Sequence, residues 1–535
     1  MDGRPAGPGA GHRLGGAWRC RCAGEGHGDV DQAQRRRRAA VLAATGRAGA
    51  GVDAAGGCRC RSGSRRMTVD LHRRGLMLGA AIASGSTAWP ALAQDGFDRP
   101  PEAPALAVPP PLAIEQARLA NGLRVVVLSL PGAPRTAIRL IGEGGWLRDP
   151  AGKEGLAEVA LSMLAQGAKR DGDEMESADI AYAGDLLGLP LRLALTPSTA
   201  ELALEALPDQ CDDAVNLMAD LTQRPLLAFE ALEHIRSRAL DALVLRRADA
   251  LLLAPWAARR QFWGRAQPVQ TTTSLKRLRR EDVLGFHRQY WRPERAVLLF
   301  AGDLSLQAAR GLAEDFMGDW RVPKAAAGPA PALALASATP AAATAQFLQL
   351  PQGQGCRLIV QTPVPRGTPP GLRELARTLM HQRVAARLPW AWDSDVESLG
   401  GALCWRMGVT LPVAAVPEQL ARLREQLPLL ADEPVTPEDL ALAQALALGD
   451  WQAKLAEAPD AVLAQAMAVG ELEAVLQWPQ RVRAISAPVL QLLMASSWRD
   501  NRTQLLLLGD AGPPAPAQRA WPGLALTTMR AVIGE

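Results

Sequence analysis

The 535-residue chain holds only 6 His and 7 Cys, and both shortages exclude something. After residue 93 the histidines are His234, His287 and His381, and no two stand within one helical turn. The paired imidazoles with which a helix commonly grips zinc are absent, and each of the three reads as a packing or surface residue. The cysteines of that region, Cys211, Cys356 and Cys404, are odd in number and far apart. That pattern argues against a disulfide framework and predicts three buried thiols. No segment after Gln94 is long and apolar enough to cross a bilayer. Hydrophobic residues at 48% and charged residues at 21% are still those of a globular protein with real cores, and the length suits about two to four domains.

Net positive charge is missing from most of the chain. Residues 1–66 carry 13 Arg against 5 acidic residues, so the +4 of the whole chain becomes −4 from Met67 onward and −5 from Gln94. Within that head, Arg35-Arg36-Arg37-Arg38 invites a nucleic-acid-binding reading, but the segment lacks apolar periodicity. We read residues 1–66 as a disordered or non-native extension, with translation beginning at Met67, and expect no nucleic-acid partner. The pairs Cys20/Cys22 and Cys58/Cys60 have one intervening residue where a zinc knuckle has two, which argues against a metal site there. Residues 67–93 contain Arg73-Arg74, a short run of small apolar residues and Ala91-Leu92-Ala93 before Gln94. This resembles a twin-arginine export signal cleaved after Ala93, which predicts a periplasmic or exported product.

Organisation begins near Leu112. Alternating apolar residues on both sides of Asn121-Gly122 predict two strands joined by a type I′ turn. A third strand is expected over 136–141 and a helix over about 155–167, closed by Gly167. Strands followed by helices imply an α+β layer with helices on one face of a mostly antiparallel sheet. A Pro/Ala-rich segment, 323–345, then reads as a linker between an N-terminal domain, 94–322, and a C-terminal domain, 346–535. The second repeats the pattern faintly: strands at 347–350 and 357–361, a helix over 372–387, an N-cap at Thr436 with Pro437 behind it, and a closing strand over 504–508.

The frame Gly155-Leu156-Ala157-Glu158-Val159-Ala160-Leu161-Ser162-Met163-Leu164 resembles the metal helix of the pitrilysin/insulinase zinc peptidases, the inverzincins, where His-x-x-Glu-His lies between the same flanks. Leu119-x-Asn121-Gly122-Leu123, Asp149-Pro150-x-Gly152, Phe286-His287-x-x-Tyr290-Trp291-x-Pro293 and the run from Val297 to Asp303 are similar to further landmarks of that family, in the same order. The resemblance implies two homologous α+β halves closing around a chamber. It also implies that this chain has lost the chemistry. The motif positions hold Glu158, Leu161 and Ser162, and alignment of 229–243 puts Ala242 where the family has a further glutamate ligand. Two imidazoles at i and i+4 hold the zinc, and the glutamate at i+3 takes a proton from its water. With all four positions replaced, no metal, cofactor or catalytic residue is expected.

Glu158 alone, without a metal or second carboxylate, offers hydrolysis no activated nucleophile, and Ser162 has no histidine at helical spacing. In the second half the resemblance implies an Arg/Tyr clamp on the substrate backbone. Arg387 and Trp392 are the candidates for that substrate-binding role, and both Trp390 and Trp392 also suit core packing. The expectation is an exported, inactive peptidase homologue serving as the non-catalytic partner of an active zinc peptidase subunit of the same family, in a chamber that takes peptide. A stand-alone peptide-binding scaffold is the alternative, and an active hydrolase a more remote one.

Overall fold

The computed structural model describes residues 111–264, 268–321, 343–350, 355–399, 401–499 and 501–533. The extension 1–66, the export signal 67–93 and most of the linker 323–345 lie outside these residues.

The first half contains β1 (Ile114–Arg118), β2 (Arg124–Ser129), β3 (Thr136–Gly142), α1 (Leu156–Leu164), β4 (Gly167–Arg170), β5 (Asp173–Glu176), α2 (Ser177–Leu186), β6 (Arg192–Leu195) and β7 (Ala200–Ala206). It continues through α3 (Cys211–Gln223), α4 (Phe229–Ala248), α5 (Ala250–Trp263), α6 (Thr272–Arg277), α7 (Arg280–Tyr290), β8 (Ala296–Gly302) and α8 (Leu306–Met317). Six strands form one sheet in the order β1-β2-β8-β3-β7-β6, while β4 and β5 make a separate hairpin. The sheet is mixed, since β2 and β8 run parallel and the other pairs antiparallel.

The second half contains β9 (Ala345–Gln349), β10 (Cys356–Val364), α9 (Pro370–Arg387), β11 (Asp393–Leu399), β12 (Ala402–Leu411), α10 (Val416–Asp432), α11 (Pro437–Glu457) and α12 (Pro459–Val469). The short helices α13 (Leu472–Leu476), α14 (Trp478–Arg483) and α15 (Ala487–Ser497) lead to β13 (Gln504–Gly509), α16 (Pro514–Ala520), β14 (Leu524–Leu526) and α17 (Met529–Ile533). Its sheet, β11-β12-β10-β13-β9-β14, is the first one repeated. β9 and β13 are parallel as β2 and β8 are, and β10 is flanked by antiparallel neighbours as β3 is. The exception is the edge, where β14 is parallel to β9 while β1 is antiparallel to β2. The helices repeat as well: Gly155-Leu156-Ala157-Glu158-Val159-Ala160 at α1 matches Gly371-Leu372-Arg373-Glu374-Leu375-Ala376 at α9.

Both faces of each sheet are buried, which explains strands that read as nearly unbroken apolar runs. On β2, Val125 and Val127 enter the main core of the first half, packed against its own helices, while Val126 and Leu128 point the other way. That outer face is covered by Leu463 and Ala464 of α12, a helix from the second half. The arrangement is reciprocal. Leu253, Ala254, Ala257 and Ala258 of α5 cover the outer face of the second sheet at Leu348, Ile359, Leu506 and Leu508. Each half thus completes the other's core, whereas the sequence pattern had predicted helices on one face only.

Buried polar groups join the same seam. Arg139 of β3 donates to Asp460 at the start of α12 through Nε (2.9 Å) and Nη2 (2.7 Å), and to Glu201 of β7 through Nη1 (2.8 Å). Burial by itself would lower the Arg139 pKa, but Asp460 and Glu201 outweigh it and hold the guanidinium above its ordinary value.

Two local expectations need correction. The β1–β2 connection is a three-residue turn in which Leu119 N–H donates to Leu123 O (2.9 Å) and Gly122 N–H to Leu119 O (3.0 Å). Positive φ is confined to Gly122 (+95°), so the turn is not type I′, which needs it at both central residues. Asn121 instead uses its side chain, accepting from Leu123 N–H (3.1 Å) and donating to Met317 O (2.6 Å) at the end of α8. The helix over 155–167 ends early, at Leu164, because Gly167 opens β4 and lies against Leu226, where a Cβ would come within 2.8 Å of Cδ1. Cys211, Cys356 and Cys404 are free and buried, as the spacing predicted.

Candidate functional site

The site is built around the first turn of α1. Asp149 supplies the missing acceptor for that turn: its two carboxylate oxygens accept from Gly155 N–H and Ala157 N–H, each at 2.7 Å. Burial pushes this carboxyl up to about 7 while the two amides pull it down. Gly155 enters the helix at φ +101°, where a Cβ would meet Leu275 Cδ2 at 2.9 Å and Gln270 Cγ at 3.0 Å, so only glycine fits without displacement. Beyond it, Val159, Ala160, Met163 and Leu164 pack into the first core.

The remaining face of α1 lines a cavity of about 390 Å³. Glu158, Leu161 and Ser162 are all on its wall, joined by Trp146, Leu193 and Leu195, by Arg246 of α4, by Trp256 and Arg259 of α5, and by Gln270. The three motif positions read from the sequence are therefore brought together. Ala242 is not, since it is exposed on α4 and does not line the cavity. One turn further along α4 stands Arg246, whose guanidinium lies 4.2 Å from the centre of the Trp256 ring. Burial lowers the Arg246 pKa and the nearby Glu158 charge opposes that shift. Gln270 donates its side-chain amide to Glu158. Arg259 Nε reaches Glu397 of β11 at 2.7 Å, and Glu397 also accepts from Arg406 Nη2 at 3.0 Å, which ties this wall to the second half.

The donor set does not suit a metal. Among the described residues no three His, Cys, Asp or Glu side chains converge as a metal site. His287, the histidine of the fourth landmark, is a structural group: Nε2 donates to Thr222 O at 2.9 Å, and burial holds its pKa down at about 4. A hydrolytic water needs a metal or a free general base near it. Glu158 instead accepts from the Gln270 carboxamide and stands near the Arg246 guanidinium.

The C-terminal candidates lie elsewhere. Arg387 Nη2 pairs with Glu433 at 2.9 Å on the surface, and Trp392, 6% exposed, packs in the core of the second half. Neither lines the cavity beside Glu158. The buried neighbour Arg383 is spent on main-chain oxygens of Leu430, Glu433 and Pro434 at 2.8–3.0 Å. Sequence reasoning missed Arg246, Trp256 and Gln270. The available signal for Arg246 was its place four residues beyond Ala242, one turn along the same helix.

Comparison with known proteins agrees with this geometry. Residues 277–366 match the family model described as the peptidase M16 inactive domain. The non-peptidase homologue YmxG of Helicobacter pylori is 21% identical over 177 residues, covering 32% of this chain and 40% of that protein. Over these stretches the chain resembles proteins described as inactive or non-peptidase members of that peptidase family, and it spans less than half the length of the curated relative it matches. Among solved structures, the M16 inactive domain from Pseudomonas fluorescens superposes with a TM-score of 0.62 at 18% identity, over 74% of this chain and 98% of that one. The periplasmic protease PqqL of Escherichia coli matches in two ways. Its first half aligns over 79% of this chain and 100% of its own length (TM-score 0.57, 13% identity). The whole of PqqL aligns over the same 79% of this chain but only 52% of its own length (TM-score 0.58, 14% identity). Identities this low speak for the fold, a pair of sheet-bearing halves of mixed α/β structure.

Proposed function

We propose that this pitrilysin-type pseudopeptidase is an exported partner subunit that builds one wall of a peptide-binding chamber and leaves cleavage to an active zinc peptidase of the same family. The observation that carries the reading is a length relation. The chain aligns with the complete first half of PqqL and with 52% of the whole, so a second body of similar size would complete a comparable assembly. The kept α1 frame, with the cavity beside it, supports a role for that inner surface after the loss of the metal ligands.

The test is to mix purified chain with an active pitrilysin-type peptidase from the same organism, measuring association by size-exclusion chromatography and cleavage of a fluorogenic peptide. Expected are a joint peak and a rise in turnover, while the chain alone holds no stoichiometric zinc and cleaves nothing. Zinc together with metal-dependent hydrolysis by the isolated chain would overturn the reading. Failure to associate, with peptide co-purifying, would favour the scaffold alternative. Export is tested separately, by an N-terminus at Gln94 on the protein recovered from the periplasm.

A further inference from the structure

The cavity beside α1 contains one cation whose hydrogen-bonding capacity is unspent. The other charged groups on its wall are engaged. Asp149 is held by the amides of Gly155 and Ala157, Glu154 accepts from Gly152 N–H at 2.9 Å, Arg259 is paired with Glu397, and Glu158 accepts from Gln270. Arg246 differs. Its guanidinium rests over the Trp256 ring, and among the described residues it forms no hydrogen bond and no ion pair. Glu158 attracts it through space without contact, and burial works against its charge.

A half-buried guanidinium oriented by an aromatic face is organised in advance for a planar, bidentate anion, and a carboxylate matches its fork. The N-terminus of α1 does not compete for that anion, because Asp149 already occupies it. Next to Arg246 the wall turns apolar, with Leu161, Leu193 and Leu195 on it. At about 390 Å³ the space is at the small end of ligand pockets, which run from about 300 to 1,000 Å³. It suits a residue or two of chain and no folded partner.

We propose that this cavity binds a free α-carboxylate carried next to an apolar side chain, with Arg246 holding the carboxylate and Leu161, Leu193 and Leu195 receiving the side chain. The chemistry is that of a peptide's C-terminus or of a free amino acid. The proposal rests on the chamber-wall reading only for the choice of peptides. Its test uses the full chain alone, so failure here leaves the partner experiment standing.

Isothermal titration would compare N-acetyl-Ala-Ala-Leu as the free acid, the same peptide as its C-terminal amide, and leucine. The acid should bind, and the amide at least about tenfold more weakly, as expected when charge-assisted hydrogen bonds are removed. Arg246→Gln should bring the acid down to the level of the amide and leave the amide unchanged, and Arg246→Lys should restore part of the difference. Equal melting temperatures of the variants and the parent chain certify the fold. Leucine binding as tightly as the peptide acid identifies the free amino acid as the ligand, and weaker binding identifies the peptide end. Equal affinity for acid and amide, an unaffected Arg246→Gln variant, or no binding of any of the three at millimolar concentration would each overturn the proposal.

Discussion

Replacing Asp460 by alanine tests whether the two halves are one energetic unit. Asp460 is 1% exposed and belongs to α12 of the second half, yet its carboxylate accepts two hydrogen bonds from Arg139 on β3 of the first. Two charge-assisted bonds at about 1.5–3 kcal/mol each would sum to roughly 3–6 kcal/mol. Glu201, 3% exposed, remains beside Arg139 and keeps its charge neutralised. The cost of Asp460→Ala should therefore fall at the lower end, about 3 kcal/mol. Arg139→Ala is different in kind, since it leaves Asp460 and Glu201 facing each other with no cation between them. Its cost should exceed that of Asp460→Ala and reach about 5 kcal/mol. Urea unfolding of the full chain, followed by circular dichroism, measures both. Hydrogen exchange adds the location: because α12 covers the first sheet and α5 the second, protection should fall in β8 and β13 together. The reasoning fails if Asp460→Ala costs less than about 1 kcal/mol, if it costs more than Arg139→Ala, or if only one sheet loses protection.

Three further outcomes are expected. Gly155→Ala should destabilise by about 2 kcal/mol, because a left-handed backbone costs an L-residue about 1–2 kcal/mol before the contacts with Leu275 and Gln270 are counted; thermal or urea melts check it. His287, depressed from 6.5 to about 4 and neutral in the fold, contributes stability that is complete above pH 6.5 and lost as pH falls through 4, because the unfolded chain takes up the proton first. The loss should approach roughly 3 kcal/mol, and His287→Gln, whose amide can still donate to Thr222 O, should flatten stability across that window. Thr436→Ala removes the hydroxyl that accepts Asp439 N–H (3.0 Å) at the start of α11 and should cost about 1 kcal/mol in urea unfolding.

What was legible in the sequence were features whose cause is local. Thr436-Pro437 marks the start of α11 because a cap and a proline act within one turn. The apolar runs of β2, β3 and β8 announce buried strands wherever their cover comes from. The cover itself was illegible: nothing near Val126 indicates that a helix more than 300 residues later will lie on it, since such contacts leave no period in the sequence. At the site, Glu158, Leu161 and Ser162 were readable because the family resemblance marks their positions within one short stretch of a single helix. Arg246, Trp256 and Gln270 come from α4, α5 and the segment before α6, and only the tertiary crossing of those elements makes them neighbours of Glu158.

Helix α1 carries both groups that hold it in place and groups that meet the cavity. Val159, Ala160, Met163 and Leu164 serve core packing, while Asp149 and Gly155, which open the helix, also line the cavity. Glu158 and Ser162 face the cavity, while Leu161, 4% exposed, belongs to that core and also lines the cavity. Glu158 is exposed on the cavity wall. The Arg246 charge lies near it, and Arg246 stands on α4 one turn beyond Ala242, where the family resemblance puts a metal ligand. A guanidinium compensates a carboxylate without polarising a bound water enough to attack an amide.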